Sequence, residues 1–515
     1  MTADAAQDTA GGFIRDGHLF IPAPDTDFGG FLAEIEGLAA FAPEIVAAVE
    51  ADLDRHAREK KMLRLADRKF LEGGTADLPG MDVAEREVLA GELGLGTGRP
   101  RMPAFAVYVF LMLRGFVGSL TSKPARRFLA ESMSLYGFLR GHGLEMPAWT
   151  TAMENVNAVG HATRELILDK QLAMALGEGL DDFARLTIDS TAVKACSAWP
   201  TDGKVLTGLL SRADRLGARL HLFGLKDFSR GRVPLWLEEM DKLEFQICLA
   251  AGKAKSKGKL KKHYRRLLGR GRKVADRYGR QSGDLRKSLR LETHAPGRRA
   301  LLERLVRQLE ADLADAARVL DYAEGRVFRG EKLPSTEKVL SLSDGSAAFI
   351  QKGGRVPVIG YKPQLVRSAG GFVTHLAVPR GNAADCSELA PAVRGSIRRT
   401  GVVPAMVSTD DGYASAKGRD DVLGMGVADL SISGSKGRRL TDPEDWDGET
   451  HRGARRDRSA VESLMFTLKD GFDFGELGRR GIDSARDELL EKVLAYNCCR
   501  SILLRKRRLE LPLAA

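Results

Sequence analysis

Three carboxylates in this 515-residue chain stand where they could hold a pair of divalent cations. Asp189 lies in RLTIDSTAV (residues 185–193), Asp410 follows the apolar run VVPAMVST, and Glu462 sits inside RRDRSAVESLMFTLKD. Phosphodiester chemistry by two metals needs oxygen ligands from several carboxylates, converging on Mg²⁺ ions about 3.5 to 4 Å apart. One ion activates the attacking oxygen and the other stabilises the leaving one. Taken singly, each residue has a plainer reading. An Asp after a strand usually caps a turn or a helix, and Arg458 with Glu462 fits a surface ion pair worth a few tenths of a kcal/mol. The case rests on the set.

The segment around Glu462 is the most informative. Arg458, Glu462 and Lys469 are at offsets 0, 4 and 11, which at about 100° per residue puts them on one helix face. Val461, Leu464, Met465 and Leu468 form an adjoining apolar face, so the Glu would stand at the edge of a buried surface with basic neighbours able to grip phosphates. Asp410 has a rival in Asp411, which would point to the opposite side of an extended strand.

Elements that could position these groups follow from periodicity. Residues 1–175 read as mainly helical, with helical runs at 104–117 and 123–139 after a loop rich in Gly and Pro at 94–103. They form either a DNA-binding module or an ordinary bundle. Alternating Leu186 and Ile188 predict a strand ending in Asp189. Two more strands, 356–366 and 370–378, meet at SAGG as a hairpin. A helix at 386–398, strands at 402–407 and 425–433, and a helix at 455–469 complete the order. This predicts an α/β chain whose mixed sheet is covered by helices. The expected organisation is a helical N-terminal region (1–175), a first catalytic part (180–227), a helical insertion (228–333) and a second catalytic part (334–515).

Charge points to the partner. The chain carries 80 Lys and Arg against 69 Asp and Glu, a net of +11. Residues 251–290 alone hold sixteen basic residues against Asp276 and Asp284, a local net of +14. The rest is therefore close to neutral, at 11 − 14 = −3. The run is either a solvated face or a grip for a polyanion, with Lys261, Lys262, Arg265 and Arg266 as candidate DNA contacts. A stripe of Leu302, Leu305, Leu309, Leu313, Ala316 and Leu320 follows and predicts an amphipathic helix. Five scattered cysteines give no zinc ribbon or disulfide framework. The polar, acidic start does not resemble a secretory signal and no apolar run is long enough to span a bilayer, so a cytoplasmic, nucleoid-associated protein is expected. Trp199 and Trp446 are either base-stacking or packing residues, and His221 and His451 receive no role.

Motif order adds a family. The segments IDST, STDDGY and RDRSAVESLMFTLK resemble the first strand, fourth strand and Glu-bearing helix of bacterial insertion-sequence transposases of the DDE type. Those enzymes carry a Tyr, Arg, Glu, Lys signature with two, three and six residues between successive members. Arg458, Glu462 and Lys469 fit it, while Arg455 takes the Tyr position and offers a basic side chain to a phosphate. The family's Asp-x-Gly-Tyr pattern favours Asp410 over Asp411. Its large insertion often precedes the Glu helix, whereas here only 51 residues separate Asp410 from Glu462 and the long insertion follows the first Asp.

The resemblance implies a ribonuclease H-like catalytic domain and two Mg²⁺ or Mn²⁺ ions held by Asp189, Asp410 and Glu462. It further implies action on terminal inverted repeats and target DNA, by a homodimer in the synaptic complex. A structure-selective nuclease of the same fold and a non-catalytic, domesticated DNA-binding protein are the alternatives.

Overall fold

The computed structural model describes residues 13–15, 18–20, 28–71, 101–196, 201–222, 225, 228–250, 257–291, 296–332, 338–342, 344–351 and 356–510. A short hairpin, β1 (Phe13–Arg15) and β2 (His18–Phe20), precedes the helical N-terminal region. Among the described residues that region comprises α1 (Phe28–Phe41), α2 (Glu44–Leu71), α3 (Ala104–Phe116), α4 (Lys123–Glu131), α5 (Met133–Gly141), α6 (Trp149–Ala158) and α7 (His161–Gly177).

β3 (Arg185–Ser190) is the centre of the main sheet. It pairs antiparallel with β7 (Gln364–Ser368), which pairs antiparallel with β8 (Val373–Ala377). On its other side it pairs in parallel with β9 (Met406–Thr409), which pairs in parallel with β10 (Asp429–Ile432). The resulting order, β10-β9-β3-β7-β8, is a mixed five-stranded sheet that fits the ribonuclease H-like arrangement. The expected strand at 402–407 is displaced, because Pro404 has no amide hydrogen to give and the ladder starts beyond it at Met406. The expected hairpin at SAGG is present, with Gly371 at φ +96° where a β-carbon would be strained. The strand expected at 356–366, however, is broken at Lys362 and Pro363 into Val358–Tyr361 and Gln364–Ser368, which belong to different sheets.

Alternation decides which face each side chain takes. Leu186 and Ile188 of β3, Val366 of β7 and Val407 of β9 pack with Leu389 and Val393 of α12 (Asp385–Thr400) in one core. The opposite face belongs to a larger core. It joins Leu365, Phe372 and Val373 to the N-terminal helices and to α18 (Ile482–Glu510), a C-terminal helix that periodicity does not announce. α18 is enclosed on several sides, so Leu489, Val493 and Leu494 are buried together with Glu488, Glu491, Lys492 and Asn497. Asn497 accepts from Val373 N at 3.0 Å and donates to Val373 O at 3.0 Å, serving as a side-chain partner for the edge strand β8.

The chain leaves the sheet through β4 (Val193–Lys194) and returns through β5 (Ala348–Ile350) and β6 (Val358–Tyr361), a three-stranded sheet of order β4-β6-β5. Between them lie α8 (Asp202–Leu222), α9 (Val233–Ala250), α10 (Lys257–Leu291) and α11 (Pro296–Glu324), which share a core of their own. Leu302, Leu305, Leu309, Ala316 and Leu320 are buried in it, as the stripe predicts, with Leu313 packed at its edge. This core includes α8, upstream of the boundary expected at 228. The segment leading into α9 lies close against α8, for a β-carbon at Gly217 would stand 1.8 Å from the Phe228 ring.

Many cations of the basic run are balanced inside this bundle. Arg266 and Arg270 pair with Glu239 at 2.9 and 2.6 Å. Arg272 pairs with Glu324 and Arg286 with Glu310. Arg265 sits 5.5 Å over the Phe328 ring and Lys273 lies 5.9 Å from the Trp236 ring. Lys259, Lys261, Lys262, Arg280 and Arg290 are exposed along α10. Among the described residues no helix is long and apolar enough to cross a membrane.

Candidate active site

Strand register brings the two Asp residues together. β3 and β9 pair as Arg185 with Met406, Leu186 with Val407 and Thr187 with Ser408. The ladder ends there, and Asp189 and Asp410 follow two positions further along the two adjacent parallel strands, both lining one cavity. The Thr187 and Ser408 hydroxyls, on the same face and two residues earlier, are 3.0 Å apart, which fixes that face directly. Asp189 Oδ1 accepts from Ser190 N at 2.7 Å, and Asp410 Oδ1 accepts from Gly412 N at 2.9 Å.

Asp411 points elsewhere. Its Oδ1 accepts from Lys436 N at 2.7 Å and Gly437 N at 3.0 Å, so it supports the first turn of α14 (Ser435–Leu440). Asp410 borders the same cavity as Asp189, and Asp411 is not among the residues that line it.

That cavity, of about 640 Å³, is lined by Asp189, Ser190, Asp410, Arg458, Glu462 and Lys469, with Met465 and Phe466 on the same wall. Its helical wall is α17 (Ser459–Gly471), anchored by buried Val461, Leu464 and Leu468. The expected continuous helix from 455 breaks at Arg458, which joins α16 (Glu449–Asp457) to α17. Glu462 is 69% exposed and lies 3.7 Å from the Arg458 guanidinium. Phe466, one turn further, is likewise 69% exposed, an aromatic that sequence reasoning passed over because the apolar periodicity of its helix falls on other positions.

Arg455 does not line this cavity. Its guanidinium lies 4.3 Å over the Trp446 ring and donates to the Trp446 carbonyl at 2.8 Å. Trp446 therefore has one face covered by a cation. Trp199 lies outside the described residues. His451 is buried. Lys261 lines a separate cavity of about 480 Å³ with Tyr264 and Arg326, in the helical bundle.

The donors suit a hard divalent cation chemically, being carboxylate oxygens at rigid strand ends. Among the described residues, however, no three His, Cys, Asp or Glu side chains stand close enough together to hold a metal ion. Glu462 is on the wall facing the Asp pair and turned toward Arg458. Burial raises the Tyr413 hydroxyl above its ordinary range, and the nearby Asp385, Asp189 and Asp410 carboxylates add to the shift.

Residues 333–498, about a third of the chain, match the family model of the transposase DDE domain. That match supports a DDE-type transposase. Within the matched DDE domain lie β5 to β10, Asp410, Arg458, Glu462 and Lys469, whereas Asp189 and the four-helix insertion lie before it. No curated protein and no solved structure gives a match. A transposase acts on DNA, in general by cutting and transferring strands.

Proposed function

We propose that the chain cleaves DNA at the terminal inverted repeats of a mobile element and joins the freed 3′ ends to target DNA, with Asp189, Asp410 and Glu462 as ligands to two divalent ions. One observation carries this reading: Asp189 and Asp410, at the ends of adjacent parallel strands, line one cavity with Glu462, Arg458 and Lys469 of the facing helix. Bound Mg²⁺ or Mn²⁺ would activate the attacking hydroxyl and stabilise the departing oxygen. The sheet holds the two Asp carboxylates rigidly, and Glu462 joins them by swinging its side chain away from Arg458. Arg458, thus released, and Lys469 neutralise the phosphates on either side of the scissile bond. A synaptic complex of two copies would present both element ends to this chemistry.

Glu462→Ala in the full-length chain tests the assignment. Strand cleavage is expected to be lost while a duplex ending in the repeat that flanks the coding region is still bound. Retained cleavage sinks the assignment. A strand-transfer assay with the unaltered chain separates a transposase from a nuclease that only hydrolyses.

The helical insertion supplies backbone grip through Lys261, Lys262 and Arg265. Arg266, tied to Glu239, contributes less. Replacing Lys261, Lys262 and Arg265 by Ala should flatten the slope of log affinity against log salt by about 0.9 for each phosphate no longer neutralised. An unchanged slope would make this face a bystander.

A further inference from the structure

Beneath the two Asp carboxylates lies a buried polar cluster that the chemistry above does not use. Asp385, at the start of α12, accepts from Gln364 Nε2 at 2.9 Å and pairs with Lys362 Nζ at 2.9 Å. Lys362 also donates to Ala383 O at 3.0 Å. The Tyr413 hydroxyl donates to Gln364 Oε1, and the Ser190 hydroxyl stands beside both Asp385 and Tyr413 with one proton to give to either. Ser190 and Gln364 are direct partners across β3 and β7. Lys362, Gln364, Ser190 and Tyr413 are all buried.

This ring is joined to both candidate ligands through the chain. Ser190 follows Asp189 directly, and Tyr413 closes the single turn that begins at Asp410. A β-carbon at Gly412 would lie 3.0 Å from Asp410 Oδ1 and 3.3 Å from Asp385 Oδ2, so the two carboxylates flank that glycine. Two like charges at adjacent strand ends repel, and their separation must be imposed from behind. A buried network with every member satisfied is stiff enough to do so. Lys362 offsets the charge of Asp385, so the support adds little negative charge to the site.

We propose that Lys362, Asp385, Gln364, Ser190 and Tyr413 form a positioning network, with Asp385 as its hub, that locks the ends of β3 and β9 at the spacing the two carboxylates need to share divalent ions. The proposal rests on the ligand reading above. A role confined to fold stability would lower the melting temperature and leave the metal requirement untouched.

The test compares Asp385→Asn and Tyr413→Phe with the unaltered full-length chain, on a labelled duplex ending in the flanking repeat. Melting temperature, DNA affinity in Ca²⁺, and single-turnover cleavage across a Mn²⁺ titration are measured, with Mn²⁺ occupancy read by electron paramagnetic resonance. Removing such supporting hydrogen bonds typically costs about 10- to 100-fold in metal affinity or activity. The expected result is therefore unchanged DNA affinity, with half-maximal cleavage and half-maximal occupancy both moved to roughly tenfold higher Mn²⁺. Wild-type Mn²⁺ dependence in Asp385→Asn overturns the proposal. Should that variant fail to fold, Tyr413→Phe, which removes one hydroxyl and keeps the buried ring, decides in the same way. Retained cleavage in Asp410→Ala would instead remove the ligand assignment on which the network depends.

Discussion

Asp410→Ala should lower the rate of DNA strand cleavage by about a thousandfold or more, whereas Asp411→Ala should leave it within a fewfold of the unaltered chain. A thousandfold loss corresponds to about 4 kcal/mol of transition-state stabilisation, within the several kcal/mol that a correctly held cation supplies to a developing charge. The contrast between neighbours comes from the structure. Asp410 lines the cavity with Asp189, while Asp411 has its oxygen committed to the amides of Lys436 and Gly437. Removing that helix cap should cost only about 1 kcal/mol of stability. Single-turnover cleavage of an end-labelled duplex in Mg²⁺, with both variants shown to bind the duplex, measures the ratio. The reverse order of activities would transfer the ligand role to Asp411.

The second large effect concerns stability. Glu491 is 1% exposed on α18 and gathers three guanidinium groups. Arg114 of α3 reaches it at 2.9 and 2.6 Å, Arg164 of α7 at 2.7 Å, and Arg479, just before α18, completes the set. Glu491→Ala leaves these cations facing one another, two of them almost fully buried, and should destabilise the protein by about 3 to 5 kcal/mol. Chemical denaturation measures it; a loss under 1 kcal/mol would show that the cluster relaxes into water.

The same group sets a pH dependence. Burial raises the Glu491 carboxyl, but the three arginines more than reverse this and hold it far below its ordinary value of 4.5. Its folded pKa is therefore lower than its unfolded one. Its contribution is present in full above about pH 5 and is lost progressively as the pH falls below 4.5 toward the folded value. Glu491→Gln should show a correspondingly flatter decline in stability over that acid range.

The sheet was legible because its signals are local. Leu186 and Ile188 alternate, the SAGG turn joins β7 to β8, and the triad's helix shows its offsets within twelve residues. What stayed hidden depends on contacts distant in sequence. α18 is buried against several layers, so its polar residues Glu488, Glu491, Lys492 and Asn497 obscure the amphipathic stripe that marks a one-sided helix. The separation of Asp410 from Asp411 depends on an amide pair 25 and 26 residues later. The packing of Arg455 over Trp446, nine residues before it, likewise depends on a turn between two short helices that no motif spells out. Asp385 carried no signal, since its partners come from β3, from the segment joining β6 to β7, and from β7 itself.

The position of the four-helix bundle has a consequence for synthesis. β3 leaves the ribosome first, yet its neighbours β7 and β9 begin only at Gln364 and Met406. At about 5 to 20 residues per second, the central strand waits roughly 10 to 35 seconds for its first partner. During that interval the bundle, which closes on its own core, can fold by itself. The nascent chain thus carries an apolar strand without its ladder until translation of the return segment closes the sheet and brings the two strand-end carboxylates to one cavity.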